Sequence, residues 1–147
     1  MALVEVDHIR HDYPGKRALD DISFNIESGQ FHALLGPNGA GKSTLFSLIS
    51  RLFKVQQGDI RVAGHSLSKA PSSLLAEIGM VFQQSTLDMD LSVAQNLDYH
   101  ASLHGLPRSI RRQRITEELQ RIDMSDAANK PVRALNGGHR RRVEIAR

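Results

Sequence analysis

Gly36-Pro37-Asn38-Gly39-Ala40-Gly41-Lys42-Ser43-Thr44 fills every fixed position of the pattern G-x-x-x-x-G-K-[S/T]. Glycines at 36, 39 and 41 permit backbone turns that a Cβ forbids, so successive N–H groups can converge on phosphate oxygens. Lys42 supplies a compact cation for β- and γ-phosphates, and the Ser43 hydroxyl is a ligand of the kind Mg²⁺ takes. A helix starting here adds the positive end of its dipole. The flanks carry the order this reading requires. Phe31-His32-Ala33-Leu34-Leu35 is mostly apolar and predicts a buried strand entering the loop. Leu45, Leu48, Ile49 and Leu52 recur at helical spacing and predict an amphipathic helix leaving it. A chance glycine turn before a helix does not account for that order.

Composition bounds the rest. A length of 147 residues suits one domain, and 40% hydrophobic residues can build a core. With no cysteine there is no disulfide, thiolate metal site or cysteine nucleophile. No run has signal-peptide character, and nowhere do 18 apolar residues follow one another, so a membrane role is expected only through a partner. The formal charge of +3 is only mildly basic, and no nucleic-acid partner is expected from it.

Upstream of the loop, Leu3-Val4-Glu5-Val6-Asp7-His8-Ile9 predicts a strand, Pro14-Gly15 a turn, and alternating Ile22, Phe24 and Ile26 a half-buried strand. This is an antiparallel opening placed beside a parallel core. Tyr13 lies on that turn, where it either covers apolar residues beneath or offers its ring to a base. Downstream, the stretch 58–64 predicts a strand, 74–77 a helical turn, and Ile78-Gly79-Met80-Val81-Phe82 a second buried strand. It ends at Gln83-Gln84, either solvated loop residues or ligands at a strand end, where open α/β sheets gather them.

From about 91 to 130 helix formers take over. Ser92 predicts the cap of a helix carrying Val93, Leu97 and Ala101, ending near Gly105. A second helix, about 109–122, carries Ile115, Leu119 and Ile122 on one side, with Arg111, Arg112, Arg114 and Arg121 read as a solvated face. Asn136-Gly137-Gly138 then precedes another helical pattern, exposing N–H groups at a second helix start.

Together these motifs resemble the ATP-binding subunit of an ABC transporter along the whole chain. Residues 36–44 are similar to its Walker A loop, and Leu135-Asn136-Gly137-Gly138-His139 stands where the family has Leu-Ser-Gly-Gly-Gln. The resemblance implies an α/β P-loop NTPase core with antiparallel N-terminal strands and an α-helical subdomain. It divides the sequence into 1–90, 91–134 and 135–147. It implies ATP and Mg²⁺ as ligands, with Pro37, Asn38, Ala40 and Thr44 contributing beside the glycines, Lys42 and Ser43. Tyr13 becomes an adenine-stacking aromatic, and Gln83 a residue for Mg²⁺ or the attacking water. Asn136, Gly137, Gly138 and His139 would contact ATP held by a second, head-to-tail subunit. Asn136 and His139 depart from the family's serine and glutamine, so their contacts are expected to be altered in strength. A membrane permease is the other implied partner, which places the chain on the cytoplasmic face of the membrane. The stretch from Gln83 to Leu97 is similar to ABC-2 type drug and polysaccharide exporters.

The family's Walker B Asp-Glu pair and switch histidine have no counterpart within 147 residues. The complete protein is therefore expected to hydrolyse ATP, and this chain alone to bind it with little or no hydrolysis. A truncated binding remnant and a soluble non-transport ABC ATPase are the alternative readings.

Overall fold

A computed structural model describes residues 2–147, which form two compact units divided after Met80. The first opens with an antiparallel hairpin. Strand β1 (Ala2–Tyr13) pairs with β2 (Lys16–Glu27), and Pro14-Gly15 closes the turn with Tyr13 in register with Lys16. Strand β3 (Gln57–Val62) pairs antiparallel with the other side of β1, and β4 (His65–Ser66) adds to β3, giving the order β2-β1-β3-β4. The alternation of β2 is as predicted: Ile22, Phe24 and Ile26 are half-buried, while Ser23 and Asn25 are exposed.

The core of this unit joins Val6, Ile9, Leu19, Ile60 and Val62 of the sheet to Leu45 and Leu48 of helix α1 (Lys42–Ile49). Leu74 of α2 (Pro71–Ala76) completes it, fully buried like Ile9, Leu48 and Ile60. Each such side chain contributes about 2 kcal/mol by leaving water. Helix α1 is thereby fastened to the sheet through the face that follows the glycine loop.

Strand β1 is irregular where it matters for β3. Its register slips between Val6 and Ile9 against β2, and between Asp7 and Arg10 against β3. His8 sits at the slip with φ 48°, and its Nδ1 lies 2.6 Å from Asp21 Oδ1. Gly58 meets this bulge at φ 87°; a Cβ there would lie 2.3 Å from the Asp7 carbonyl oxygen and 2.5 Å from that of His8. Only glycine tolerates both the dihedral and the approach.

Three expectations for this unit and its boundary are corrected. The segments 31–35 and 78–82, predicted as buried strands, pair with no strand among the described residues, and Phe31 and Leu35 are 93% and 86% exposed. An apolar run signals a tendency to be buried, but a strand exists only where a neighbour supplies its ladder. Leu52 also leaves the predicted helical face. Helix α1 ends at Ile49, Arg51 turns to φ 58°, and Leu52 is left 64% exposed.

The second unit is helical: α3 (Val93–Leu103), α4 (Arg108–Arg121) and α5 (Gly137–Ala146), with short 3-10 turns at Ser125–Ala127 and Val132–Ala134. Ser92 caps α3 as predicted. Its hydroxyl accepts from the Gln95 N–H at 3.2 Å, and the Gln95 side chain accepts from the Ser92 N–H at 2.8 Å, a reciprocal capping box. Leu87, Val93, Leu97, Leu119, Val132, Leu135 and Val143 form its buried core. Arg111 is not part of a solvated face. Its Nε lies 3.1 Å from Asp98 Oδ1, and its side chain is only 14% exposed. Among the described residues, no helix is long and apolar enough to cross a membrane.

Candidate functional site

The glycine loop owes its shape to the hairpin beneath it. Gly41 caps α1 at φ 87° without a side-chain hydrogen bond, and the first turn holds no acidic residue. A Cβ on Gly41 would lie 2.5 Å from the Ala18 carbonyl oxygen and 2.7 Å from Leu19 Cδ2, so β2 presses directly on the loop. The opening N–H groups of α1 have no acceptor within the helix and are available to an anion.

Lys42 is already folded into the loop. Its Nζ donates to the carbonyl oxygens of Gly36 at 2.5 Å and Pro37 at 2.7 Å. An ammonium has three N–H donors, so one is left for a ligand. A cleft of about 430 Å³ opens here, lined by Asn38, Gly39, Gly41, Lys42, Ser43 and Thr44 together with Tyr13, Lys16 and Ala18. Two ammonium groups and a glycine-rich backbone, with no carboxylate among the lining residues, suit a polyphosphate. The exposed Ser43 hydroxyl is one of the side-chain oxygens that this cleft offers.

Tyr13, thirty-one residues from Thr44 in sequence, shares the cleft with the loop, its hydroxyl 3.3 Å from Thr44 Oγ1. Two rings brace it edge-on, His11 at 5.0 Å and 79° and Phe53 at 6.1 Å and 84°. His11 is itself buried and stacked on Phe53 at 5.9 Å. Thus the ring is held by its hydroxyl and by T-shaped contacts with two neighbouring rings.

Lys16 was not among the residues singled out from sequence. The available signal was its place directly after Pro14-Gly15, in register with Tyr13. Its Nζ reaches within 3.8 Å of the point where a Gly39 Cβ would stand.

Gln83 and the motif 136–139 belong to the second unit, and all five residues are exposed. Asn136 is the N-cap of α5: its Oδ1 accepts from the His139 N–H at 2.8 Å. Asparagine thus keeps a capping role by its oxygen and retains its amide N–H groups for an outside acceptor. Two of the arginines that follow have local partners. Arg140 donates to the carbonyls of Val132 and Arg133, and Arg141 to that of Phe82 and to Glu144. Burial pushes the Glu144 carboxyl up, but hydrogen bonds from Ser85, Arg141 and the Thr86 N–H outweigh it and hold the group below its ordinary range.

The family model for ABC transporters matches residues 19–147. The chain belongs to the ABC transporter family. This ABC transporter chain is 38% identical over 143 residues to the daunorubicin resistance ATP-binding protein DrrA3 of Streptomyces coeruleorubidus, covering 97% of its own length and 45% of that protein. It is 38% identical over 148 residues to the doxorubicin resistance ATP-binding protein DrrA of Mycobacterium tuberculosis, covering 99% of itself and 44% of the relative. A solved structure of cbiO1 from Clostridium perfringens, described as part of the ABC transporter complex cbiONQ, superposes with a TM-score of 0.83 at 30% identity. That match covers 99% of this chain and 60% of cbiO1. The α/β fold class read from the sequence is therefore that of the ABC ATPases. The ABC transporter chain spans less than half the length of both drug-resistance relatives.

Proposed function

We propose that this chain grips ATP as part of the ATP-binding subunit of an ABC exporter. One observation carries the reading: Tyr13 and the loop 36–44 line a single cleft. Phosphates lie against the α1 N-terminus and the ammonium groups of Lys42 and Lys16, while the braced Tyr13 ring stacks on adenine. Ser43 would hold Mg²⁺, which when bound neutralises phosphate charge. Asn136, Gly137, Gly138 and His139 contact the nucleotide of a second subunit, so that each ATP is bound between two copies. A permease supplies the membrane path and keeps the subunit on the cytoplasmic face. Identity to two drug-resistance proteins favours export.

Calorimetric titration with ATP and with inorganic tripolyphosphate tests the cleft. Tyr13→Ala lowers ATP affinity about tenfold, the worth of one stacked base, and leaves tripolyphosphate affinity unchanged. Equal loss for both ligands would overturn the stacking role. Hydrolysis is a separate matter, since no Asp-Glu pair after an apolar strand lies within these 147 residues. The isolated chain binds ATP but turns it over negligibly; phosphate release that Lys42→Ala abolishes would contradict this.

A further inference from the structure

The second unit holds a buried carboxylate that the roles proposed above leave unused. Glu144 lies two turns into α5, with its side chain only 6% exposed. Its Oε1 accepts from the Thr86 N–H at 3.2 Å, and its Oε2 accepts from Arg141 Nη1 at 2.9 Å. Arg141 Nη1 also donates to the Phe82 carbonyl at 2.5 Å, and Arg147 Nη1 donates to the Thr86 carbonyl at 3.1 Å. Residues 141, 144 and 147 recur every three positions, so one stripe of α5 faces the segment 82–86. Backbone groups on both sides of Gln83 are therefore fastened to the helix whose first residues are Gly137 and Gly138. Leu87 and Val143, both buried in the same core, continue the attachment in apolar form.

We infer that Glu144 is a positioning residue, whose carboxylate clamps the Gln83 segment to α5 so that Gln83 and the Asn136-Gly137-Gly138 helix start move as one piece. The fastening is strong for its size. A buried carboxylate is stable only when its oxygens are occupied, and here the Ser85 hydroxyl, the Thr86 N–H and a guanidinium occupy them. Losing the carboxylate frees the Thr86 N–H and one of the two partners of Arg141 together. The α5 N-terminus keeps its own Asn136 cap in either case. What changes is the link between the two elements, not either element alone.

The inference rests on Gln83 and the motif 136–139 acting in ATP turnover, and the test separates the two. In a full-length ABC ATPase that carries these 147 residues, initial rates are measured against ATP concentration and normalised to the amount of nucleotide bound at saturation. Glu144→Ala lowers kcat about tenfold, the scale of a misplaced catalytic contact, with KM for ATP within about twofold because the loop 36–44 is untouched. Glu144→Gln keeps an oxygen for the Thr86 N–H and recovers most of kcat. Arg141→Ala, half-exposed and outside the core, reproduces the loss should Glu144→Ala fold poorly. Unchanged normalised kcat in both Glu144→Ala and Arg141→Ala, beside a Gln83→Ala variant that is slow, overturns the clamp and leaves the role of Gln83 standing. If Gln83→Ala is also as fast as the parent, the role of Gln83 falls and the clamp with it. A parallel rise in KM, or a Glu144→Gln variant no better than the alanine, overturns positioning in favour of general loosening.

Discussion

Lys42→Ala lowers the affinity of this chain for ATP by roughly a hundredfold or more while leaving the fold intact. The size follows from the loss of a charge-assisted contact to phosphate in a partly enclosed cleft, about 3 kcal/mol or above, at 1.4 kcal/mol per decade. Two features raise the effect. The Gly36 and Pro37 carbonyls hold Nζ in place before any ligand arrives, so little side-chain entropy is lost on binding. The alanine also leaves those carbonyls aimed at phosphate without the intervening cation, converting an attractive wall into a repulsive one. Lys42→Arg does not rescue it, because a planar fork cannot sit between two carbonyls as a compact ammonium does. Calorimetry on ATP, with circular dichroism as the fold check, decides the matter: affinity within about fivefold of the parent would refute this role for the lysine.

Gly58→Ala is the largest single blow to the first unit, costing about 3 kcal/mol or more and lowering its melting temperature by roughly 15 °C. The methyl group would stand 2.3 and 2.5 Å from two carbonyl oxygens of the β1 bulge, both of them backbone atoms unable to swing aside. Gly64 isolates the two components of the cost. It has φ 79° with nothing within 4 Å of its Cβ position, so Gly64→Ala carries the dihedral cost alone, about 1 kcal/mol. Thermal unfolding of the pair measures the close approach by difference. Equal melting temperatures would mean that β1 relaxes around the added methyl.

What could be read from sequence was local. The loop 36–44, the Pro14-Gly15 turn, the Ser92 cap and the helix start at 136–138 are each written in a few consecutive residues, because their chemistry closes over three or four positions. The joining of Tyr13 to the loop came from family resemblance, since nothing in the spacing of 13 and 44 requires their contact. Non-local features stayed out of reach. Gly58 looked like a strand boundary and is a bulge partner, visible only once β3 lies on β1. Phe31 and Leu35 read as core because they are apolar, but hydrophobicity does not say which strand will pair with them. Arg111 joined the solvated arginines until Asp98, on a different helix, was placed beside it. Glu144 carries no sequence signal of its burial, which depends on the segment 82–86.

Turns between strands are where proteins usually accept added residues, and by that measure Pro14-Gly15 is an inviting place for an insertion. Its neighbours remove that freedom. Tyr13 and Lys16 are the last ladder pair before the turn, and both line the cleft. One residue added on either side would slide the end of the ladder and send one of these side chains to the opposite face of the sheet. The length of this turn is thus a ruler for the cleft, and descendants of this sequence can vary its composition far more readily than its count.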